Sequence, residues 1–179
     1  MCAITLKTLP KSISLPLLCT SFLILAGCSA PHKPAEWQKM TLISGGPSSS
    51  VVEVRDLDGT GGHGEQMFFE SDLTDQAGNK AGKVIGMTVI AHIGSEDGAG
   101  NAKFEERFST LAFVFDDGDE IMALGSFVYP EGATHLQGNV PQMRAIVGGT
   151  GKYKGIRGQM TTTRNADGKY ILELEYRMD

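Results

Sequence analysis

Cys28 lies in a sequence motif that predicts covalent modification of its sulfur. It closes the run Leu25-Ala26-Gly27-Cys28, which follows two lysines and an apolar stretch beginning near Ile13. A basic start, an apolar segment too short to span a bilayer and small residues before the cut are typical of a bacterial secretory signal. The pattern predicts a lipoprotein in which the Cys28 thiol receives diacylglycerol and residues 1–27 are removed.

The alternative for this segment is an ordinary signal peptide with an incidental cysteine. Small residues precede Cys28 and a linker-like segment, residues 29–34, follows it, which favours lipidation. The lipid chains would anchor the mature protein to the membrane without spanning it. Because Ser29 rather than Asp follows the cysteine, the expected location is the cell envelope, on the periplasmic side of the outer membrane in a Gram-negative cell.

Four ionisable residues lie on apolar, strand-like segments where a side chain could act on a ligand. Glu53 and Arg55 are two residues apart, so in a strand they share one face; if that face is exposed they form only a weak ion pair. His92 has apolar neighbours, where an imidazole is either a satisfied core group or a proton carrier. Arg144 precedes a Gly-Gly turn and is either solvent-facing or an anchor for a ligand.

Charge and cysteine content exclude several classes of function. Removal of the signal would change the formal charge from −5 to about −7, and the remaining Lys and Arg are scattered, so nucleic acid is not an expected partner. Cys2 and Cys19 leave with the signal, and Cys28 carries lipid, so the folded domain has no thiol for a disulfide, a metal site or a nucleophile. His63 and His135 lack a second imidazole or cysteine at ligand spacing, so no metal site is expected.

The elements that position these side chains are predicted to be β-strands. Apolar residues recur with a period close to two, and no window carries a sustained helical spacing. Short turns rich in Gly, Asn and Asp imply antiparallel neighbours, and eight such strands can close into a barrel with a central cavity. The fold class is therefore all-β, an eight-stranded antiparallel closed barrel. The predicted strands are Val51–Leu57, Gln66–Asp72, Lys83–Gly94, Ala102–Phe115, Glu120–Tyr129, Gln142–Val147, Gly155–Thr163 and Lys169–Arg177.

The predicted domain organisation is a signal peptide over residues 1–27, a lipidated cysteine and linker over 28–40, and one barrel domain over 41–179. Aromatic residues on the strands could form the wall of a cavity, although such residues are also common in a plain core. The candidates for this wall are Phe69, Phe113, Phe127 and Tyr129.

The segment Ala145–Gly158 has a distinctive glycine pattern. An apolar strand is followed by Gly148-Gly149-Thr150-Gly151, an aromatic residue and Gly155-Ile156-Arg157-Gly158. This pattern resembles the hallmark of the allene oxide cyclase and dirigent barrel superfamily, and the resemblance covers roughly Val51 to Tyr176. A phosphate-binding loop would also match Gly-Gly-x-Gly, but it requires a helix next, and the following residues are strand-like.

The resemblance implies a barrel whose lumen binds a small apolar or oxygenated metabolite and guides its ring closure or coupling. In the plant cyclases a buried carboxylate on the first strand helps to ionise the substrate, and Glu53 falls at that position. Arg55 stands where the cyclases carry Asn, and His92 matches a position that is often Cys or Tyr in relatives. The resemblance thus implies that Glu53, Arg55 and His92 are catalytic. It also implies a homo-oligomer, because family members commonly form trimers.

The expected function is a cyclase or isomerase that works by templating, without a cofactor, since no nucleotide motif, metal cluster or cysteine nucleophile is present in the sequence. Two alternatives remain open. The first is a non-catalytic, dirigent-like carrier or ligand-binding protein. The second is a structural envelope protein whose lumen is filled by side chains.

Overall fold

A computed structural model describes residues 35–45, 50–55, 62–95 and 103–178, and the side chains of 35–45, 62–94 and 104–178. Cys28 and the predicted signal lie outside these residues. The described chain forms nine β-strands and a short 3-10 turn at Gly151–Tyr153. Its strands are β1 Gln38–Ser44, β2 Ser50–Arg55, β3 Gln66–Thr74, β4 Lys80–Ser95, β5 Lys103–Phe115, β6 Glu120–Pro130, β7 Gln142–Gly149, β8 Ile156–Arg164 and β9 Tyr170–Met178.

The strands form one closed antiparallel barrel. Sequential neighbours from β2 to β9 pair with each other, and β1 closes the ring because it pairs with both β9 and β3. β1 and β2 lie one after the other along the same edge of β3, since Ser44 pairs with Leu73 and Ser50 pairs with Ser71. Nine strands therefore occupy eight positions around the barrel, which confirms the predicted fold class.

β1 has no counterpart among the eight predicted strands, which correspond to β2–β9. The predicted linker, residues 28–40, overlaps the first residues of β1. This strand opens with polar, exposed residues, and only Leu42 and Ser44 are buried. Its main partner is β9, at the opposite end of the described chain, so no nearby hairpin signal marks it. Among the described residues, no helix is long and apolar enough to cross a membrane.

The turns between strands follow the predicted glycine chemistry. Gly78, Gly118 and Gly168 occupy the hairpin turns after β3, β5 and β8 with φ values of 79–86°, a region that L side chains rarely adopt. The hairpin after β3 is also held by Asp75, whose carboxylate accepts hydrogen bonds from the backbone and side-chain amides of Asn79. These short turns account for the antiparallel order of the strands.

The barrel interior is filled at one end. We call the end at the β7–β8 turn the lower end and the end at the β6–β7 loop the upper end. At the lower end the inward side chains pack into a continuous apolar core, which leaves the upper end as the place for a ligand. Fully buried members of this core are Leu73, Phe113, Ile121, Ile156, Met160 and Leu174.

Close backbone approach explains the glycine hallmark of the sequence. A Cβ at Gly158 on β8 would overlap the carbonyl oxygen of Glu175 on β9, and a Cβ at Gly149 would lie 2.6 Å from the carbonyl oxygen of Glu120. Gly151 starts the 3-10 turn with a φ of 52°. The pattern therefore fixes the packing of strands at the lower end.

We expect Gly158→Ala to lower the free energy of unfolding by about 1–3 kcal/mol, because the added methyl group forces neighbouring backbones apart. Gly148→Ala is the matched control, since nothing lies within 4 Å of a Cβ at Gly148. That variant should be unchanged or up to about 1 kcal/mol more stable. Urea unfolding followed by circular dichroism measures both, and equal losses in the two variants would contradict the explanation.

Candidate functional site

A cavity occupies the upper half of the barrel. The cavity opens to solvent, and the space inside it that a water-sized molecule can occupy is about 70 Å³. Most of its walls are aliphatic or aromatic, as is usual for small-molecule sites. The lining residues are Ser44, Met67, Phe69, Ser71, Val84, Leu111, Phe127, Tyr129, Thr134, His135, Leu136, Arg144, Thr162, Tyr170 and Leu172.

The loop between β6 and β7, residues 131–141, forms the roof of the cavity. Leu136 is buried in a cluster with Met67, Phe127 and Tyr129. The backbone N–H of Asn139 donates to the carbonyl of Arg164, 2.7 Å away. Nδ1 of His135 lies 3.4 Å from the hydroxyl of Tyr170. Burial and the positive charge of Arg164 lower the pKa of His135, so its imidazole is neutral at neutral pH.

Arg144 is the charged group of the cavity wall. It points inward from β7, and only 5% of its surface is exposed. Nε donates to the hydroxyl of Ser109 at 2.7 Å, and Nη1 lies 3.4 Å from the hydroxyl of Thr162. The guanidinium lies over the ring of Phe127. Burial lowers the pKa of Arg144 to about 9, which leaves the guanidinium positively charged at neutral pH.

Two residues beside this arginine support its position: one leaves room for its side chain, and the other links β6 to β7. A Cβ at Gly125 on β6 would lie 3.2 Å from Cγ of Arg144, so a larger residue would crowd its stem. Beside it, the side-chain amide of Gln142 bonds both the N–H and the carbonyl of Val128, at 2.7 and 2.8 Å. This amide joins β6 and β7 beyond Leu124, where the backbone pairing of the two strands stops.

A second buried cation, Arg107, lies beside the cavity with a partner of its own. Its Nε donates to Oε2 of Glu105 at 2.9 Å, and its Nη2 also contacts that oxygen. Oε1 of Glu105 accepts a hydrogen bond from the backbone N–H of Gly132 in the roof at 2.7 Å. The guanidinium of Arg107 lies 4.6 Å from the ring centroid of Tyr129. The Glu105–Arg107 ion pair therefore connects the cavity wall to the roof loop, and it carries no net charge.

Tyr129 is the buried phenol between the two arginines. Burial raises its pKa to about 12, and the nearby positive charges of Arg144 and Arg107 oppose this rise. The phenol therefore keeps its proton at neutral pH and can donate a hydrogen bond into the cavity.

Because Tyr129 is buried, raising the pH into the alkaline range should lower the free energy of unfolding. Between about pH 10 and about 12 an unfolded tyrosine loses its proton while folded Tyr129 retains it, so the free energy of unfolding falls as pH rises. Tyr129 accounts for at most about 3 kcal/mol of this fall. We expect Tyr129→Phe to flatten the profile of unfolding free energy against pH, measured by urea titration at each pH. Parallel profiles for the variant and the wild type would contradict the expectation.

The structure brings four of the residues predicted to bind a ligand into one cavity wall. Phe69, Phe127, Tyr129 and Arg144 all line it. Phe113, which was also predicted to lie in the wall, is not among the residues that line this cavity. It is fully buried in the core near the β5–β6 turn, because its strand position points into the filled lower half.

Of the three residues predicted to be catalytic, only His92 has a described side chain, and it lies outside this wall. His92 lies at an irregularity in the β4–β5 pairing, with an exposed ring 6.5 Å from that of His63, and it does not line the cavity. In the backbone pairing of β2 with β3, Glu53 pairs with Phe68 and Arg55 with Gln66. The cavity-lining residues of β3 are Met67, Phe69 and Ser71, and they pair with Val54, Val52 and Ser50. The side chains of β2 lie outside the described residues, so the roles of Glu53 and Arg55 stay predictions.

Sequence reasoning missed Glu105 and Arg107. Their signal was the same two-residue spacing that drew attention to Glu53 and Arg55, within Phe104-Glu105-Glu106-Arg107-Phe108. Ordinary alternation places the phenylalanines inside, yet Glu105 and Arg107 are buried and Phe108 is 46% exposed. Across the described part of the chain, no group of three or more His, Cys, Asp or Glu is arranged to hold a metal ion.

Comparisons with known proteins relate this chain to others through structure. No protein-family model matches it. No curated protein matches it by sequence. Three solved structures that resemble it are a pyocyanin demethylase, a Diels-Alderase from Streptomyces koyangensis and a pterocarpan synthase dirigent protein.

The structural likenesses extend over most of each chain. The demethylase is 22% identical with a TM-score of 0.55, and the match covers 78% of this chain and 99% of the other. The Diels-Alderase is 20% identical with a TM-score of 0.57, and the match covers 94% of this chain and 84% of the other. The dirigent protein is 17% identical with a TM-score of 0.51, and the match covers 79% of this chain and 83% of the other. Together with the closed barrel, they show that this chain has the same barrel fold as the Diels-Alderase and the dirigent protein.

Proposed function

We propose that the barrel binds a small, largely apolar metabolite in its upper cavity and directs its cyclisation or isomerisation. The observation that carries this proposal is a cavity with aromatic walls above a solid apolar floor. Such a cavity restricts the conformations of a flexible molecule and excludes water, and holding reacting atoms in place can remove roughly 7–11 kcal/mol from a barrier. Chemistry of this kind needs no cofactor.

The structural neighbours support a role of this class. One is a Diels-Alderase and another is a pterocarpan synthase dirigent protein. In the present barrel, protonated Tyr129 would donate a hydrogen bond to a substrate oxygen, and Arg144 would stabilise negative charge. Glu53 and Arg55 remain proposed catalytic residues by family resemblance, and His92 is set aside because its ring lies outside the cavity.

The test is a comparison of metabolites from the parent bacterium, a strain lacking the gene and strains carrying single variants. Thr162→Phe fills the cavity beside Arg144, whereas Thr161→Phe places the same ring at the neighbouring strand position, which does not line the cavity. We expect the deletion and Thr162→Phe to replace a product by a compound of equal mass and different retention. Thr161→Phe should match the parent.

Two further outcomes separate the alternatives. If Glu53→Gln also loses the product, the activity depends on that carboxylate and is catalytic. If only the deletion and Thr162→Phe lose it, templating or carriage by a dirigent-like protein is favoured. Unchanged profiles in all strains would contradict a metabolic role and favour the structural envelope protein.

We further propose that Cys28 anchors the protein to a membrane by lipid, on the periplasmic side of the outer membrane. The support is the Leu25-Ala26-Gly27-Cys28 motif behind an apolar segment. Cells fed labelled palmitate should incorporate the label into the wild-type protein but not into Cys28→Ala. The absence of label in the wild type would contradict lipidation.

A homo-oligomer, by family resemblance a trimer, is also proposed. Its support is a set of large apolar side chains exposed on strands β4 to β7. They are Ile85, Phe108, Val128, Met143 and Val147. Analytical ultracentrifugation of the soluble domain should show a trimer, and a monomer at all concentrations would refute it.

A further inference from the structure

We infer that the ligand of the upper cavity carries a carboxylate group on an apolar body, and that this carboxylate binds Arg144. This inference deepens the proposed function, because it assumes that the cavity binds a small molecule. It begins from an imbalance of charge between the two buried arginines.

Arg107 and Arg144 are both nearly excluded from solvent, with 3% and 5% of their surfaces exposed. Arg107 has a carboxylate partner in Glu105. Arg144 has none among the described residues, where its hydrogen-bond partners are the neutral hydroxyls of Ser109 and Thr162. A buried cation without a counterion is costly, and such groups are usually paired or functional.

The geometry leaves part of the guanidinium available to a ligand. Nε is occupied by Ser109, whose own hydroxyl donates onward to the carbonyl of Gly125 at 3.0 Å. Nη1 makes one long contact with Thr162, and Nη2 makes no hydrogen bond to a described residue. The edge formed by the two Nη atoms can thus donate two parallel hydrogen bonds to one carboxylate.

The remainder of the cavity restricts what can accompany that carboxylate. Met67, Phe69, Leu111 and Leu172 line the walls, so the body of the ligand must be apolar. The pKa of Arg144, lowered by burial, still keeps the guanidinium charged at neutral pH. A ligand carboxylate would supply the missing negative charge inside a medium of low polarity, where ion pairing is strong.

The experiment compares 2-naphthoate with 2-naphthamide, two ligands of nearly the same shape that differ in charge. Their dissociation constants are measured by isothermal titration calorimetry at neutral pH with the soluble barrel domain of the wild type, Arg144→Met and Arg157→Met. Met keeps the length of the side chain without its charge. Arg157 is the control because it is an exposed arginine that bonds backbone carbonyls outside the cavity.

We expect the wild type and Arg157→Met to bind 2-naphthoate at least ten times more tightly than 2-naphthamide, and Arg144→Met to lose this preference while still binding the amide. Arg144→Lys, which keeps the charge but not the planar fork, should retain a smaller preference. If Arg144→Met does not fold, Arg144→Gln replaces it.

The outcomes distinguish the two proposals. Equal affinities in the wild type, or a preference that survives in Arg144→Met, would overturn the inference while leaving cavity binding intact. No binding of either compound to the folded wild type would overturn both the inference and the proposed ligand-binding function for molecules of this size.

Discussion

Replacing Glu105 with alanine should lower the free energy of unfolding by about 3–5 kcal/mol, because the substitution leaves the buried charge of Arg107 without its partner. Three contacts are lost at once. They are the bond from Nε of Arg107, the contact with its Nη2, and the bond from the backbone N–H of Gly132. The substitution should therefore destabilise the roof loop as well as the barrel wall.

Glu106→Ala is the matched control for this prediction. Glu106 is on the same strand, has the same side chain and is exposed, so its replacement should change stability by less than about 0.5 kcal/mol. Urea unfolding curves measure both variants. A loss in Glu105→Ala no greater than that in Glu106→Ala would show that the buried pair does not stabilise the barrel.

Replacing both members of the Glu105–Arg107 pair provides a second test. In Glu105→Leu with Arg107→Met, both charges are removed and replaced by apolar groups of similar volume. Such replacements are often neutral or stabilising, so the double variant should recover much of the stability lost in Glu105→Ala. If the double variant is as unstable as the single one, the loss comes from packing rather than from an unpaired charge.

Phe113→Ala should also cost about 3–5 kcal/mol, for a different reason. Phe113 is completely buried in the lower core, and truncation leaves a void that close-packed neighbours fill only in part. Phe108→Ala on the same strand should cost less than about 1 kcal/mol, because that ring is 46% exposed. Both are measured by urea unfolding at protein concentrations where the chain is monomeric.

The same variant tests the boundary between the core and the cavity. Because Phe113 does not line the cavity, Phe113→Ala should bind 2-naphthoate with nearly the wild-type dissociation constant under conditions where it is folded. Phe127→Ala removes a ring from the cavity wall and should weaken binding at least several-fold. Equal weakening in the two variants would mean that the cavity extends into the lower core.

The strands and turns could be predicted from the sequence because their signals are local. A period of two and turn residues such as Gly118 and Gly168 place β2 to β9 within a few residues of their bounds. β1 has no such signal, since its strand character depends on partners in β3 and β9 that are distant in sequence. Closure of the barrel was therefore predicted without the strand that closes it.

The cavity was predictable only in part, because local alternation does not say which face is inward. On β5 the pattern would place Phe108 inside and Arg107 outside, and the structure has the reverse. The stabilising contacts of Arg107 come from Glu105 on its own strand and from Met67 and Tyr129 on others. For Arg144 the sequence left two interpretations open, and burial among Ser109, Phe127 and Thr162 decides for an inward position.

The pairing of β1 with β9 has a consequence for how this chain reaches its native state. Gln38 pairs with Tyr176, so the contact that seals the barrel joins the two ends of the described chain. Contacts of such long sequence separation carry a large loop-closure entropy and form slowly. Until β9 has been synthesised, the edges of β1 and β8 that pair with it have open backbone groups that invite association with other chains. The barrel therefore cannot close before β9 is available to pair with both β1 and β8.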